Sequence, residues 1–184
     1  MDDSTAIQKC KAGETEAFSH LVRRYQSEAI GHAVAILGSL EDALDAVQDA
    51  FLDAYQAVRR FDTSRKFYPW LYTILRNRCF KMLASRKKQA AAAMDAVEIV
   101  AQTATDSCGV AASVVDQALR ELAAEDRELL TLKHLDGLSY KELAERLKIP
   151  AGTVMSRLYH ARGRFRQSVL TLQETLDSWE RTDE

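Results

Sequence analysis

Apolar residues recur at three- and four-residue spacing along almost the whole of this chain, and no run of alternating β-branched residues stands between turn signals. That pattern leaves no room for a sheet and predicts an all-α fold. At 184 residues the chain has length for one domain or for two small ones. A composition 47% hydrophobic and 28% charged, with few Gly and Pro, is that of a soluble globular protein. No apolar run approaches the roughly 18 residues of a membrane span, and the start, MDDSTAIQKC, lacks the apolar stretch of a signal peptide, so the cytoplasm is the expected location.

A first helix is read from Glu14, with Phe18, Leu21, Val22, Tyr25, Ala29, Ala33, Ile36 and Leu37 along one side and a stop at Gly38. Ser39, three residues before Asp42, is an N-cap for the next, "LEDALDAVQDAFLDAYQAVRRF". Its predicted core stripe is Leu44, Val47, Phe51, Leu52 and Tyr55. The opposite face carries Asp42, Asp45, Asp49 and Asp53, interrupted by Gln48.

The formal net charge of −2 conceals a segregation. Residues 1–56 carry −6, 57–88 carry +9, 89–140 carry −6, 141–170 carry +5 and 171–184 carry −4. Two separate basic segments in an otherwise acidic chain point to two contacts with a polyanion.

The first of these, "FYPWLYTILRNRCFKMLASRKK", holds Arg76, Arg78, Lys81, Arg86, Lys87 and Lys88 and no acidic residue. At 100° per residue Phe67, Leu71, Ile74, Leu75 and Met82 form a core arc, into which Arg78 also falls. Trp70, Asn77, Lys81 and Lys88 form a neighbouring stripe. Ring faces stack on bases, amides bond base edges and lysines follow phosphates, so this stripe suits single-stranded nucleic acid.

Residues 89–114, beginning "QAAAAMDAVEIVAQ", are small and weakly periodic, and read as a flexible linker. A second helical unit follows at 115–170. Within it Ser139 and Glu142 spell a capping box that starts a short helix at Tyr140, and "KIPAG" ends it near Leu147, with Gly152 read as part of a tight turn. A basic helix then starts around Thr153, with Val154 and Leu158 inward and Arg157, His160, Arg162, Arg164 and Arg166 outward. Two short helices, a tight turn and a basic second helix make a helix-turn-helix. The last segment, 171–184, is an acidic tail with Leu172, Leu176 and Trp179 at near-helical spacing.

"DALDAVQDAFLDAY", "FYPWLYTILRNR" and "LDGLSYKELAERLKIPAGTVMSRLYHAR" stand in the order expected of bacterial RNA polymerase sigma factors, and the chain resembles the extracytoplasmic function group of the sigma-70 family. The resemblance implies two helical domains. Residues 1–88 would grip the clamp helices of the polymerase β′ subunit and open the −10 promoter element; 115–170 would read the −35 element as duplex. It makes Asp45, Gln48, Asp49 and Phe51 the candidate core-polymerase contacts. Asn77 matches the position lining a pocket for a flipped-out −10 base, with Asp62 to Tyr68 as the other wall and Trp70, Arg76 and Lys81 beside it. Arg157, His160 and Arg162 match recognition-helix positions, with Thr153 and Ser156 completing the −35 set. Met155, where the family usually has Lys or Arg, His160, where Arg is common, Lys148, where Gly is frequent, and Ala46, where a larger aliphatic is usual, depart from the pattern.

Promoter DNA and core polymerase are therefore the expected partners, with an anti-sigma protein as a further partner class. A helix-turn-helix regulator, or a sigma-like mimic that sequesters an anti-sigma protein, is the alternative. Cys10, Cys79 and Cys108 are far apart, the four histidines are scattered, and no triad, phosphate-cradling loop or metal-ligand spacing is present, so neither enzyme, cofactor nor metal is expected.

Overall fold

The computed structural model describes residues 1–94 and 114–180, with side chains to 91 and to 174. The expected linker from 95 to 113, with Cys108, and the side chains of Leu176 and Trp179 lie outside the described residues. Among the described residues every regular element is a helix, and the chain falls into two compact units, Met1–Ala90 and Ala91–Glu184.

The first unit begins with a helix that the sequence reading did not anticipate, α1 (Asp3–Ala12). Asp2 caps it by accepting from the Thr5 amide, and Gly13 closes it at φ 100°, a left-handed conformation that suits glycine. Next come α2 (Glu16–Leu37) and α3 (Leu40–Ala57). Gly38, at φ 75°, ends α2 as expected, and the Ser39 hydroxyl accepts from the Asp42 amide to start α3. A single 3-10 turn, Val58–Arg60, leads through an exposed loop, 62–66, into α4 (Phe67–Met94). That helix runs past the expected start of the linker at 89.

Aromatic rings join α4 to α2. Phe67 meets Phe18 edge-on, Tyr25 stacks on Tyr68, and the buried His32 shares a 2.7 Å hydrogen bond with the Tyr68 hydroxyl and lies edge-on to Tyr72. Phe67, Leu71 and Leu75 are buried as predicted; Tyr72 and Cys79 extend that stripe, while Ile74 and Met82 lie at its margin.

The predicted core stripe of α3 needs correction. α3, packed against α2, buries Ala43, Ala46, Val47, Ala50, Phe51 and Ala54, four of them alanines small enough to let a neighbouring backbone approach. Leu44, Leu52 and Tyr55 are instead 47%, 53% and 37% exposed. The larger aliphatic usual at position 46 is thus replaced by an alanine with no exposed surface.

The second unit is built from α5 (Val114–Glu121), α6 (Ala124–His134), α7 (Tyr140–Leu147) and α8 (Ala151–Glu180), around Leu122, Leu129, Leu132, Leu143, Val154, Leu158 and Ala161. Both halves of the capping box are made: Ser139 Oγ accepts from the Glu142 amide and Glu142 Oε2 from the Ser139 amide. The turn differs from its reading. Lys148, at φ 55°, closes α7 in the left-handed conformation, which explains why glycine is frequent there. Gly152 lies inside α8, which starts two residues earlier than expected, and no turn requires it. α8 also continues through the expected tail to Glu180.

Candidate nucleic-acid interface and apolar groove

The exposed leucines of α3 line one wall of a groove. Leu44, Gln48, Leu52 and Tyr55 recur at helical spacing along α3, Val47 and Phe51 form the floor, and Phe18, Val22, Gln26 and Ile30 of α2 form the other wall. Phe18 lies edge-on to both Phe51 and Tyr55, which holds the floor rigid. Such a stripe matches the spacing by which one helix receives another. Of the predicted polymerase contacts, Gln48 lines this groove, Phe51 is buried in its floor, and Asp45 is exposed.

Asp49 is already engaged. Arg78 Nε and Nη2 donate to the two carboxylate oxygens of Asp53 at 2.7 and 2.8 Å, and its Nη1 donates to Asp49 at 2.7 Å. Arg86 likewise grips Asp42. These bonds, more than the surrounding charge, pull the Asp53 and Asp42 carboxyls below the usual carboxylate range and raise both guanidiniums. Two arginines thus offset half the charge of the acidic face of α3 from within the unit. Arg78 sits in the apolar arc of α4 because its head reaches across to α3.

Removing those two arginines thins the basic surface of α4. Asn77, Lys81, Lys87 and Lys88 stay exposed. Arg76 lies over the Phe80 ring with its guanidinium carbon 4.6 Å from the centroid. Trp70 is half-buried, packed against Phe61 at 4.8 Å and Phe67 at 5.6 Å between centroids, so part of its surface belongs to the core. In the loop expected to form the pocket wall, residues 62–66 are exposed, but Phe67 and Tyr68 are buried. An Asx turn orders the loop: Asp62 Oδ1 accepts from the Ser64 amide, the chief reason the Asp62 carboxyl is held low.

On the second unit, Ser156, Arg157, His160 and Arg162 project from the first turns of α8, while Thr153 is half-buried. Beside them stand two large exposed groups, Met155 and Tyr159. Arg164 is committed elsewhere: it makes a bidentate pair, at 2.6 and 2.9 Å, with the buried Asp126 of α6. Arg127 donates to the Arg120 and Leu122 carbonyls and so finishes α5.

Among the described residues no cluster could hold a metal ion, and no helix is long and apolar enough to cross a membrane.

Two family models match the chain: Sigma-70 region 2 over residues 21–89 and Sigma-70, region 4 over 113–165. Similar curated proteins include the ECF RNA polymerase sigma-E factor of Escherichia coli K12, 32% identical with 88% of this chain and 91% of that protein covered. The ECF RNA polymerase sigma factor SigW of Bacillus subtilis 168 is 30% identical, covering 90% and 96%. Among solved structures, the sigma factor RpoE of Bartonella quintana, in complex with the anti-sigma factor NepR, aligns at TM-score 0.67 and 25% identity over 84% of this chain and 98% of that one. CnrH, in complex with the cytosolic domain of CnrY, aligns at 0.61 and 25%, covering 90% and 95%.

Proposed function

Since the chain belongs to the extracytoplasmic function group of RNA polymerase sigma-70 factors, we propose how its two units share the work of promoter recognition. The protein is a sigma factor: it binds core RNA polymerase and directs transcription initiation. It supplies recognition, and the chemistry belongs to the polymerase.

In this reading, residues 1–88 dock a helix of the β′ clamp in the α2–α3 groove. Leu44, Leu52 and the Phe51 floor provide apolar area, and Gln48 and Asp45 provide polar contacts. Asp49 acts mainly through Arg78, by fixing α4 against α3. The exposed face of α4, with Asn77 and Lys81 and the rim of Trp70, receives the non-template strand of the −10 element. One base leaves the stack there, at a cost of a few kcal/mol that phosphate and pocket contacts must offset. Residues 115–170 read the −35 duplex through Ser156, Arg157, His160 and Arg162. Because the RpoE structure above was solved with an anti-sigma factor, an anti-sigma protein is a second partner class for this chain.

The observation that carries the reading is that one unit exposes both an apolar partner groove and an amide-bearing basic helix face. A regulator that binds duplex through its helix-turn-helix needs neither. Run-off transcription from a library of genomic promoter fragments, with purified core polymerase plus or minus the chain, tests it. A restricted set of chain-dependent start sites is expected. Tight duplex binding by the chain alone, with no new start site, would make it a regulator instead.

A further inference from the structure

We propose that α1, which lies outside the matched sigma-70 segments, is a positioning element for the strand-capturing loop, and that Lys11 is its key residue. The inference rests on the reading of Asp62 to Tyr68, of which 62–66 are exposed, as one wall of the −10 pocket.

α1 reaches both ends of that loop. At its C-terminal end Lys11 Nζ donates to the Phe61 carbonyl at 2.6 Å, in a partly buried setting where the chain leaves the 3-10 turn. A charge-assisted bond to a main-chain carbonyl fixes the peptide itself, whatever side chain follows. Phe61 is buried and its ring packs on Trp70, so the same bond also holds the base-stacking candidate. At the N-terminal end Asp3 accepts from the Tyr25 hydroxyl and pairs with Arg24 at 3.2 Å. Tyr25 stacks on Tyr68 with ring centroids 5.1 Å apart, and Tyr68 lies in the buried first turn of α4 where the loop ends.

Between the two anchors the five residues from Asp62 to Lys66 expose their side chains, and only local bonds order them: Ser64 amide to Asp62 Oδ1 at 3.0 Å and Arg65 amide to the Asp62 carbonyl at 3.1 Å. Fixed ends and an open tip describe a pre-organised receptor, in which less conformational freedom is lost when a strand binds. Freeing one end should therefore slow strand capture while leaving fold and polymerase contact in place. Lys11 lines neither the α2–α3 groove nor α8, so its removal spares the other two surfaces.

The test uses the full chain with core polymerase on a promoter identified by the run-off screen, as duplex and as a pre-melted bubble. Lys11→Met keeps the aliphatic stem and removes the donor; Lys11→Arg restores one. Lys11→Met is expected to open the duplex roughly tenfold more slowly than the parent, by permanganate reactivity of unpaired thymines, the loss typical of one charge-assisted bond. Lys11→Arg should recover most of that rate, all three proteins should start equally well on the bubble, and the thermal midpoint of Lys11→Met should fall by several degrees without loss of the folded state. Opening at the parental rate, or equal loss on bubble and duplex, overturns the proposal. If the parent opens no promoter, the functional reading fails, and hydrogen exchange decides the latch by itself: the Ser64 and Arg65 amides should exchange several-fold faster in Lys11→Met, and unchanged exchange overturns it.

Discussion

The exposed leucines of α3 give the sharpest quantitative test of the groove. Full burial of a leucine side chain is worth about 1.5–3 kcal/mol. Leu44 is already 53% covered and Leu52 47% covered within the free unit, as their 47% and 53% exposures require. About half of each value, ~0.8–1.5 kcal/mol, therefore remains for a partner to realise, or roughly 1.5–3 kcal/mol for the pair. Replacing both with glutamine keeps a carbon at Cβ and Cγ and the helix propensity, and places an amide where the partner would bury a methyl group. Core-polymerase affinity should fall about 10- to 100-fold, by competition against a fluorescent parent chain, while the thermal midpoint shifts by no more than a few degrees. Phe51→Ala is the contrasting control. It opens a cavity under the groove floor and should cost about 3–5 kcal/mol of folding stability before any question of binding arises. An affinity for Leu44→Gln with Leu52→Gln within twofold of the parent, in a protein that melts normally, would show that the groove is not where the polymerase docks.

Asn77→Ala should impair opening of duplex promoter far more than initiation on a pre-melted bubble, since its amide meets a base edge only after that base has left the stack; permanganate footprinting separates the two. Arg157→Ala should either flatten the salt dependence of −35 duplex binding by about 1, if it contacts phosphate, or cost ~1–3 kcal/mol and relax preference at one position, if it contacts a base; a titration series in salt distinguishes them. Lys148→Gly should stabilise the second unit by up to about 1 kcal/mol, because it removes the left-handed strain at φ 55°, less the greater chain entropy of glycine; thermal melting measures it. The carboxyls of Asp42 and Asp53 titrate lower in the folded state, so their stabilisation is fully present above the unfolded value near 4 and drains away as pH falls through their folded values. Acid titration followed by circular dichroism should show Asp42→Asn with Asp53→Asn less stable than the parent at neutral pH and with a shallower loss below about pH 4.

Helix starts and stops were legible wherever a side chain or a glycine enforces them locally: Gly38, Ser39, the Ser139–Glu142 box and the end of α7 at Leu147 all lie where the sequence puts them. What periodicity could not reveal was which apolar side chain of a helix meets another helix and which awaits a partner. Leu44 and Leu52 read as core because they are large. The alanines at 43, 46, 50 and 54 are the residues that are buried although they are small, and a wheel that weights size inverts the answer. α1 escaped notice because its buried set, Ala6, Ile7 and Cys10, is short and mostly small; Asp2 and Gly13, its cap and stop, were the signals that could have found it. Arg78 seemed misplaced on α4 because its partners stand 25 and 29 residues earlier, on another helix. That Asn77, Lys81, Arg157 and His160 are exposed could be read from the helical wheel, while the commitment of Arg164 to Asp126 could be seen only in three dimensions.

The unbroken course of α8 also settles a question of distance. Thirty residues at 1.5 Å each make a rod about 45 Å long, and the turn near Ser156 proposed to read DNA stands about 30 Å along the axis from Asp177. That is more than three screening lengths at physiological salt, roughly 8 Å each. One helix therefore carries a cationic end and an anionic end that scarcely feel one another, and DNA can approach the first without repulsion from the second.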